Sequence, residues 1–509
     1  MLHGGSCPGP RAVRAERRSP MKKRKVALVL LHTGRPADLA SPLFHANALF
    51  LLKAYLESRP ETAARYEFEI VDLRRHVPYN LGLAVEQNID IVQEVAARRP
   101  EVVAFSLYLW NVEAGQALAQ VLRKFLPGAV FVAGGPEVSD RREFARMFPG
   151  FDVLVEGDGE VPLRRVLDAL ARGRRPRGIG GVSFLEHGRW VHDPRPAELA
   201  PPEEIPDVHA ANRDRLEGRG FYLTTRGCPY DCAMCLWARQ PMRRRGRERI
   251  LAELAGLIDS PLRGLTLFDY DLLEVHARDP AFFERLTRLV RARRDGFGIN
   301  FFINPRYLAD PRLPAVMTAL RSHHVLVGLQ STSPACLTAI GRSWSRPWLA
   351  ALEQAPSALR GRVFLELIFP LPGQTATGFL ASLRRLLALG YFRLQIFQLC
   401  LLRGTALYRR RRALGLRHLE RPPYACIATP SIPEDECLRI GVLCQALNLL
   451  RDLADAAPDR RPFAEYFRRH PGALDRLLAP IDRGATSWDV ADLLSRQITG
   501  RPLELDHAR

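Results

Sequence analysis

Three of the nine cysteines lie close together, in the stretch GCPYDCAMC. Cys228, Cys232 and Cys235 follow the spacing Cys-x3-Cys-x2-Cys, which lets one loop wrap a single metal centre. Structural zinc usually takes four Cys or His ligands, and the next histidine, His276, is predicted to lie beyond another strand and loop. Iron–sulfur clusters are held by thiolates and tolerate an iron without a protein ligand. The spacing favours a cluster with one open iron, and zinc is the less well supplied alternative.

A predicted strand, Phe221–Thr225, runs directly into the cysteine loop and is followed by alternating strands and helices. The later predicted strands are Leu265–Phe268, Ile299–Ile303, Val325–Leu329, Val363–Phe369 and Leu394–Leu399. The predicted helices between them include Arg249–Ile258, Phe282–Arg293, Leu313–Arg321 and Thr377–Leu389. Six strand–helix units are too few for a closed eight-unit barrel, so a partial α/β barrel is predicted. The cysteine loop then lies at the carboxyl ends of the strands, where such barrels carry their sites.

The N-terminal part predicts a second α/β unit, a doubly wound, Rossmann-like parallel sheet. Its predicted strands are VALVLL, YEFEIVDL, VVAFSL, VFVAGG and FDVLVEG, with helices at Ala48–Arg59, Asn88–Arg98 and Glu113–Phe125. Ligands of such sheets bind at the carboxyl ends of the strands. Three predicted strand tips, SLYLWN, GGPE and GDGE, carry small or polar residues there. Glycines at these tips let a ligand approach the backbone, but on spacing alone ordinary tight turns are the favoured explanation.

Composition, together with glycine- and proline-rich turns, predicts where one unit ends and the next begins. A hairpin is predicted about His187-Gly188, and the proline-rich stretch 194–206 reads as a linker. The predicted divisions are a disordered extension (1–20), the doubly wound domain (21–175), hairpin and linker (176–217), the partial barrel (218–416) and a C-terminal helical domain (417–509). Either Met1 or Met21 is the start. Predicted helices in the last unit are Glu434–Leu450, Phe463–Arg469 and Ala473–Leu478.

The formal charge of +19 could indicate nucleic-acid binding, but Arg replaces Lys almost throughout, as in proteins from GC-rich genomes. A nucleic-acid partner is therefore not expected. No apolar run reaches the roughly 18 residues that span a bilayer, and no signal peptide is recognised, so a cytoplasmic location without membrane contact is predicted. Nine cysteines in 509 residues suit metal or redox chemistry better than a disulfide scaffold.

Several further side chains could serve either chemistry or structure. Asp269 and Asp271 follow the second barrel strand, where they could reach a ligand or close a turn. Glu366 on the fifth strand needs a partner if it points inward. The basic run 243–247 could receive an anionic substrate, although a solvated helix start is the simpler interpretation. Cys400 could be catalytic, but a buried apolar role is favoured.

These motifs resemble the radical S-adenosylmethionine (SAM) superfamily, and within it the cobalamin-binding class. The chain looks most like a branch with an uncharacterised C-terminal helical domain. The resemblance runs from about Val26 to Arg451 and rests on VVAFSLYLWNVE, GGPEVS, GDGE, TTRGCPYDCAMCL, GLQSTSP, PLPGQT and RPPY. It implies that Cys228, Cys232 and Cys235 bind a 4Fe–4S cluster whose open iron binds SAM. Reductive cleavage of SAM would then yield a 5′-deoxyadenosyl radical that abstracts hydrogen from unreactive carbon.

The resemblance also implies which residues meet SAM and cobalamin. The expected SAM contacts are Met234, Trp237, Asp269, Gln330, Ser331 and Glu366. The expected cobalamin contacts are Ser106, Tyr108, Asn111, Gly134, Gly135, Pro136, Glu137, Gly157, Gly159 and Glu160. The chain departs from the class in lacking Asp-x-His-x-x-Gly, so cobalamin is expected to bind without a histidine on cobalt. Met234 replaces a usual aromatic residue, and Pro370 replaces the first glycine of a Gly-Leu-Pro-Gly motif.

The resulting hypothesis is a cobalamin-dependent radical SAM enzyme that methylates a carbon of an unknown small-molecule or peptide substrate. An external electron donor of the flavodoxin or ferredoxin type is implied. A radical rearrangement or oxidation without methyl transfer is the first alternative. A non-catalytic iron–sulfur or cobalamin sensor is the second. Methylthiolation of transfer RNA is disfavoured, because only Cys7 precedes Cys228, which leaves no ligands for a second cluster.

Overall fold

The computed structural model describes residues 22–31, 47–73, 89–277, 279–457 and 461–503. The predicted extension at 1–20 lies outside these residues. The N-terminal strands are β1 (Arg24–Leu30), β2 (Tyr66–Asp72), β3 (Val102–Ser106), β4 (Val130–Gly134), β5 (Val153–Val155), β6 (Val182–Glu186) and β7 (Arg189–His192). The helices are α1 (Asn47–Glu57), α2 (Pro60–Arg65), α3 (Ile89–Ala96), α4 (Val112–Phe125), α5 (Arg141–Met147) and α6 (Glu160–Ala171).

These strands form one sheet in the order β2-β1-β3-β4-β5-β6-β7. The first five are parallel, and β6 and β7 add an antiparallel hairpin that turns at His187 and Gly188, both with positive φ. Every residue of β3 is buried because helices cover both faces of this central strand. The predicted doubly wound sheet is therefore correct. Its strand order reverses between β1 and β3, which is where such sheets bind ligands.

The second sheet contains six parallel strands in the order β15-β14-β13-β12-β11-β8. They are β8 (Arg219–Tyr222), β11 (Gly264–Leu267), β12 (Gly298–Ile303), β13 (Val325–Gln330), β14 (Val363–Phe369) and β15 (Leu394–Gln398). The surrounding helices are α7 (Arg247–Ile258), α8 (Leu272–Val275), α9 (Pro280–Ala292), α10 (Leu313–Ala319), α11 (Pro334–Ala339), α12 (Ala351–Gln354), α13 (Ser357–Arg360), α14 (Ala376–Ala388) and α15 (Ala406–Arg410). Burial alternates strictly along β13 and β14, which places one face against the helices and the other toward the barrel interior. The predicted partial barrel is thus confirmed.

The region around the cysteine loop differs from the prediction. The predicted strand Phe221–Thr225 is split: β8 ends at Tyr222, and a separate strand, β9 (Thr225–Cys228), pairs antiparallel with β10 (Gln240–Arg244). The prediction of a solvated helix start over 243–247 is wrong for Arg243 and Arg245, which are largely buried and paired with acidic side chains. The hairpin was missed because QPMRR has no apolar alternation, and contacts between distant residues stabilise it instead.

The chain beyond the barrel contains β16 (Arg417–His418), β17 (Cys426–Ala428), α16 (Glu434–Ala456), α17 (Arg461–Arg469), α18 (Ala473–Asp482) and α19 (Ser487–Thr499). The helical prediction is confirmed, while α19 and the short hairpin were not predicted. Helix α16 packs on the edge strand β15, where the Asn448 side chain accepts from the Ile396 N–H and donates to its carbonyl, both at 2.9 Å. No helix in the described ranges has the length and apolarity needed to cross a bilayer.

Candidate functional site

The cysteine loop lies at the carboxyl ends of the barrel strands, between β9 and β10. Gly227 has φ +98, and a Cβ there would come within 2.2 Å of the Pro241 carbonyl oxygen, so only glycine fits this close crossing. The loop is tied to the rest of the barrel through its middle residue: Ala233 N–H donates to the Ile340 carbonyl at 2.8 Å, and the Ala233 carbonyl accepts from Leu407 N–H at 2.7 Å. The middle of the loop is therefore anchored by backbone hydrogen bonds on both sides of the peptide unit at Ala233.

Tyr230 anchors the first half of the cysteine loop. Its ring stacks on Trp344 with centroids 3.9 Å apart, and its hydroxyl donates to Glu274 Oε2 at 2.7 Å. Asn304 Nδ2 donates to the same hydroxyl at 3.1 Å. Burial, followed by the hydrogen bond and charge of Glu274, raises the pKa of Tyr230 far above its usual value, so this phenol stays protonated.

The three thiols lie close enough to influence one another. Burial is the main cause that raises the pKa of Cys228 to about 11; the charges of Cys232 and Cys235 act in the same direction, while a backbone hydrogen bond at Tyr230 and the charge of Arg342 oppose them. Within the described ranges, no three Cys, His, Asp or Glu side chains gather around a single point as one metal ion requires. A cubane spreads its thiolate ligands over separate irons and does not need that convergence. Three thiols on one short loop therefore fit a cluster better than a single zinc ion.

Arg342 is a site residue that the sequence did not reveal. Its guanidinium is 7% exposed, donates from Nη1 to Cys232 Sγ at 3.3 Å and from Nη2 to the Gly328 carbonyl at 2.7 Å, and stacks on Trp344 at 4.5 Å. It lies 110 residues from Cys232 in the chain. A buried cation at this place compensates negative charge on the thiolates and on any cluster they hold.

Gln330 and Glu366 lie together beside Arg342 on neighbouring strands. Gly328 pairs with Glu366, and the space beside Gly328 is taken by Gln330 Nε2 and Glu366 Oε2, 3.0 and 3.7 Å from where a Cβ would stand. Gln330 has φ +65 at a bulge in β13, which turns its side chain back over Gly328. Gln330 and Glu366, both expected SAM contacts, thus lie on the same face of the barrel as the guanidinium of Arg342.

Asp269 and Ser331, two more of the expected SAM contacts, and Asp271, which the sequence places at the same edge, have partners within the protein. Asp269 is 1% exposed and accepts from Thr224 Oγ1 at 2.9 Å and from Thr224 N–H at 3.2 Å, so it joins the ends of β8 and β11. Asp271 caps α8 and accepts from Asn304 N–H at 2.9 Å. Ser331 accepts from Ser333 N–H at 3.1 Å in a local turn. These hydrogen bonds fix the three side chains against neighbouring elements, and contact of Asp269 and Ser331 with SAM stays a prediction.

Two residues flanking the last cysteine differ in their surroundings. Met234 packs against a small apolar cluster that includes Cys336 and Leu371. Trp237 is 59% exposed, and its backbone N–H donates to Cys235 Sγ at 3.4 Å. Cys400 is half-buried, and burial raises the pKa of its thiol, which disfavours a nucleophilic thiolate there.

Burial raises the pKa of Glu366 to about 7, although Arg342 lowers it. The folded protein therefore holds this proton more tightly than the unfolded chain, and the free energy of unfolding falls as pH rises from about 4.5 to 7. Glu366→Gln stays neutral at every pH and should remove this part of the pH dependence. We expect the metal-free variant to be about 3 kcal/mol more stable than the parent at pH 8 and no more stable at pH 4. Denaturant unfolding of the variant and the parent at pH 4 and pH 8 measures this. An equal difference in their free energies of unfolding at the two pH values would contradict the prediction.

The strand tips of the N-terminal sheet fall into two groups. At the β3 tip, Tyr108 stacks on Trp110 with centroids 4.5 Å apart. Trp110 is 52% exposed although it follows the strand at the switch point of the sheet. Trp110, backed by the partly buried Tyr108, is a flat surface for a planar ligand, and Trp110 was absent from the predicted contacts.

The second group of predicted cobalamin contacts already has protein partners. Asn111 is 1% exposed and its amide bonds the backbone of Leu31, Ser106 and Tyr108. A Cβ at Gly135 would lie 2.5 Å from the Leu107 carbonyl oxygen, and one at Gly159 would lie 3.1 Å from Leu52. These three positions are therefore packed against the protein.

The two acidic tip residues face other parts of the chain. Glu137 accepts from Tyr424 OH at 2.7 Å, and Glu160 pairs with Arg226 at 2.7 Å. Of the remaining predicted contacts, Pro136 begins a short 3-10 helix, Gly157 lies beside Ala197, and a Cβ at Gly134 would meet nothing nearer than 3.7 Å. Within the described residues, the β3 tip around Trp110 and the space beside Gly134 are therefore where this edge can meet a ligand.

Comparison with known proteins identifies both halves of this arrangement. Residues 43–167 match the B12 binding domain family. Over 428 residues the chain is 28% identical to 2-(S-pantetheinyl)-carbapenam-3-carboxylate methyltransferase of Streptantibioticus cattleyicolor, covering 79% of this chain and 60% of that enzyme. Over 79% of its length the chain is also 27% identical to the cobalamin-dependent radical SAM methyltransferase TokK of Streptomyces tokunonensis, of which it covers 60%. It spans about three-fifths of the length of the carbapenam methyltransferase.

Solved structures of cobalamin-dependent radical SAM enzymes share the fold. The radical SAM methyltransferase TsrM of Kitasatospora setae, with cobalamin and a [4Fe-4S] cluster bound, superposes with TM-score 0.59 at 17% identity, covering 88% of this chain and 99% of that one. OxsB, with aqua-cobalamin and SAM bound, gives TM-score 0.63 at 14% identity, covering 94% and 76%. At these identities the likeness shows the fold, namely a doubly wound sheet, a partial barrel and a helical C-terminal region.

Proposed function

We propose that this chain is a radical SAM enzyme that binds a 4Fe–4S cluster through Cys228, Cys232 and Cys235, binds cobalamin at the β3 tip, and methylates a carbon of a small-molecule substrate. The observation that carries the proposal is the cysteine loop: three mutually close thiols are held on a backbone anchored at Ala233, with a buried guanidinium against one sulfur. The carbapenam methyltransferase and TsrM support methyl transfer as the reaction.

Within this proposal the residues of the chain have defined roles. When bound, the cluster supplies the electron that cleaves SAM, and cobalamin supplies a carrier for the methyl group. Arg342 balances the negative charge at Cys232, and Gln330 and Glu366 offer hydrogen bonds on the barrel face beside it. With a pKa of about 7, the carboxyl of Glu366 is able to donate a proton to a bound hydroxyl or to accept one near neutral pH.

The proposed cobalamin site consists of Ser106, Tyr108 and Trp110, with Gly134 beside them. No histidine occurs in the tip sequences SLYLWN, GGPE and GDGE, so none of these tips offers an imidazole to cobalt. A flavodoxin- or ferredoxin-type electron donor remains part of the proposal, because cleaving SAM requires an external electron. Cytoplasmic location also remains part of it.

Anaerobic reconstitution tests the proposed reaction. The protein, loaded with iron, sulfide and hydroxocobalamin and given SAM with a low-potential reductant, should release both 5′-deoxyadenosine and S-adenosylhomocysteine. The second product reports loss of the methyl group from SAM and should require the corrinoid. Release of 5′-deoxyadenosine alone would favour rearrangement or oxidation. Release of neither product from a protein with a full cluster would favour a sensor.

Trp110→Ala should lower the corrinoid retained per protein by about tenfold, because an aromatic face that stacks on a planar ligand contributes on the order of 1 kcal/mol beyond its buried area. The measurement is corrinoid absorbance after gel filtration, with iron per protein as an internal check on folding.

Phe125→Ala is the matched control for this variant. Phe125 is 57% exposed but ends α4 at the opposite edge of the sheet, so its removal should leave corrinoid retention unchanged. Equal retention by the parent and Trp110→Ala would place the corrinoid elsewhere. Gly135→Trp is a poorer test, because the Leu107 backbone already fills the space that a side chain needs there.

A further inference from the structure

The hairpin that carries Cys228 contains an unfavourable charge pair. Arg226 on β9 lies directly opposite Arg243 on β10 in the antiparallel register, two residues before the first cysteine of the loop. Like charges directly opposite each other destabilise an antiparallel pair. The hairpin has only two strands, and such hairpins are at best marginally stable without packing against another element. Something outside the hairpin must therefore compensate these two cations.

The compensating charges come from the N-terminal domain. Asp158 Oδ2 lies between the two guanidinium groups, 3.3 Å from Arg226 Nη1 and 2.5 Å from Arg243 Nη2. Glu160 Oε1 is 2.7 Å from Arg226 Nη1. The Glu160 and Arg243 side chains are only 6% and 14% exposed, so solvent screens these pairs little. Two carboxylates on one tip thus neutralise two arginines on the hairpin.

The geometry of the acidic tip leaves little freedom for other partners. Asp158 and Glu160 follow β5, and Glu160 is the first residue of α6, where the helix N-terminus also stabilises a negative charge. Gly157, with φ +76, turns the chain between strand and helix beside Ala197 of the linker. Arg243 Nη1 also donates to the Ala200 carbonyl at 3.2 Å, so the linker joins the same contact.

We propose that the tip Asp158–Glu160 is a positioning element for the cluster loop: it neutralises Arg226 and Arg243, and the hairpin bearing Cys228 reaches its ordered form only when the N-terminal domain is docked. The inference rests on the proposed function for its effect on the cluster, but the ordering of the hairpin can be measured without any metal. It assigns to Asp158 and Glu160 a role in the barrel, where the sequence had suggested that this tip contacts cobalamin.

The test combines Asp158→Asn with Glu160→Gln, which keep the shapes of both side chains and remove both charges. Removing the anionic partners of largely buried cations is strongly destabilising, so amide hydrogen exchange across residues 225–244 of the metal-free protein should become about tenfold faster. In the cluster-loaded protein, iron should be lost to a chelator about tenfold faster. Unchanged exchange in these amides would overturn the proposal.

Adding Arg243→Gln to this double variant separates charge compensation from simple loss of contacts. If repulsion between the arginines is the cause, the third substitution should return exchange toward the parental rate. If the tip acts only as an anchor, exchange should stay fast or rise further, which would refute the charge mechanism. Glu137→Gln is the matched control, since Glu137 is a buried carboxylate on the neighbouring tip that bonds Tyr424 and does not touch the hairpin. Amide hydrogen exchange across residues 225–244 in the Glu137→Gln variant should equal that of the parent.

Failure of this inference and failure of the proposed function give different results. If the parent protein takes up no iron but the variants show the expected exchange pattern, the cluster assignment fails and the positioning role of the tip stands. A loaded double variant that shows fast exchange but parental iron loss would show that hairpin order does not protect the cluster, and would overturn that part of the proposal.

Discussion

Replacing Cys228, Cys232 and Cys235 together by alanine is expected to abolish bound iron and sulfide after anaerobic reconstitution, and with them all formation of 5′-deoxyadenosine. Among the described residues no three Cys, His, Asp or Glu side chains converge on one point, so we expect no second site to take up iron in place of the loop. Iron and sulfide per protein and the absorbance of the cluster are the measurements. The loop backbone is held through Ala233, so the variant should still fold.

Cys400→Ala is the control for the triple variant. Cys400 is half-buried at the end of β15, and its thiol makes only a long contact of 3.6 Å with the Gln398 carbonyl. The control should bind iron as the parent does. Full iron content in the triple variant would exclude the loop as the cluster site, whatever the control shows.

Arg342→Met is expected to slow reductive cleavage of SAM by about ten- to hundredfold per cluster, because a hydrogen bond to a charged group contributes about 1.5 to 3 kcal/mol. The variant keeps all three thiols but removes the cation that donates to Cys232 Sγ and leaves the Gly328 carbonyl without its partner. Losing a positive charge beside the cluster should also make its reduction potential more negative. The measurements are 5′-deoxyadenosine per iron and a redox titration followed by electron paramagnetic resonance.

Arg346→Met provides the comparison, since Arg346 is an exposed arginine four residues further along the chain. It should leave both the cleavage rate and the potential unchanged. A parental potential in Arg342→Met would show that Arg342 does not tune the cluster, even if the rate falls through poorer SAM binding.

The sequence predicted the two sheets because their strands are short apolar runs bounded by turns, a pattern that can be recognised in a single sequence. β3 and β14 illustrate this, since each is predicted to within a residue or two. The sequence missed β10 because QPMRR is polar, and its ordering depends on Asp158, 85 residues earlier in the chain. Local pattern cannot report a pairing over that distance.

The candidate site shows the same limit. The cysteines were predicted because their spacing is local and their chemistry is specific. Arg342 was missed because a lone arginine in a chain rich in arginine has no distinguishing neighbour, and only folding brings it to Cys232. Asp269 and Asp271 follow a barrel strand, as predicted, but their carboxylates bond the backbone of adjacent elements. Position along a strand therefore predicts which edge a residue reaches, and not what it touches there.

The amide of Asn448 stands where a seventh strand would pair with β15, and this has a consequence for synthesis on the ribosome. Asn448 follows Ile396 by 52 residues. At about 5 to 20 residues per second, several seconds separate the emergence of the edge from that of the side chain that covers it. During that interval β15 presents unpaired backbone groups that another nascent chain could extend. Slow translation over this segment, or a scarcity of chaperones, should therefore cost more soluble protein than a similar delay elsewhere in the barrel.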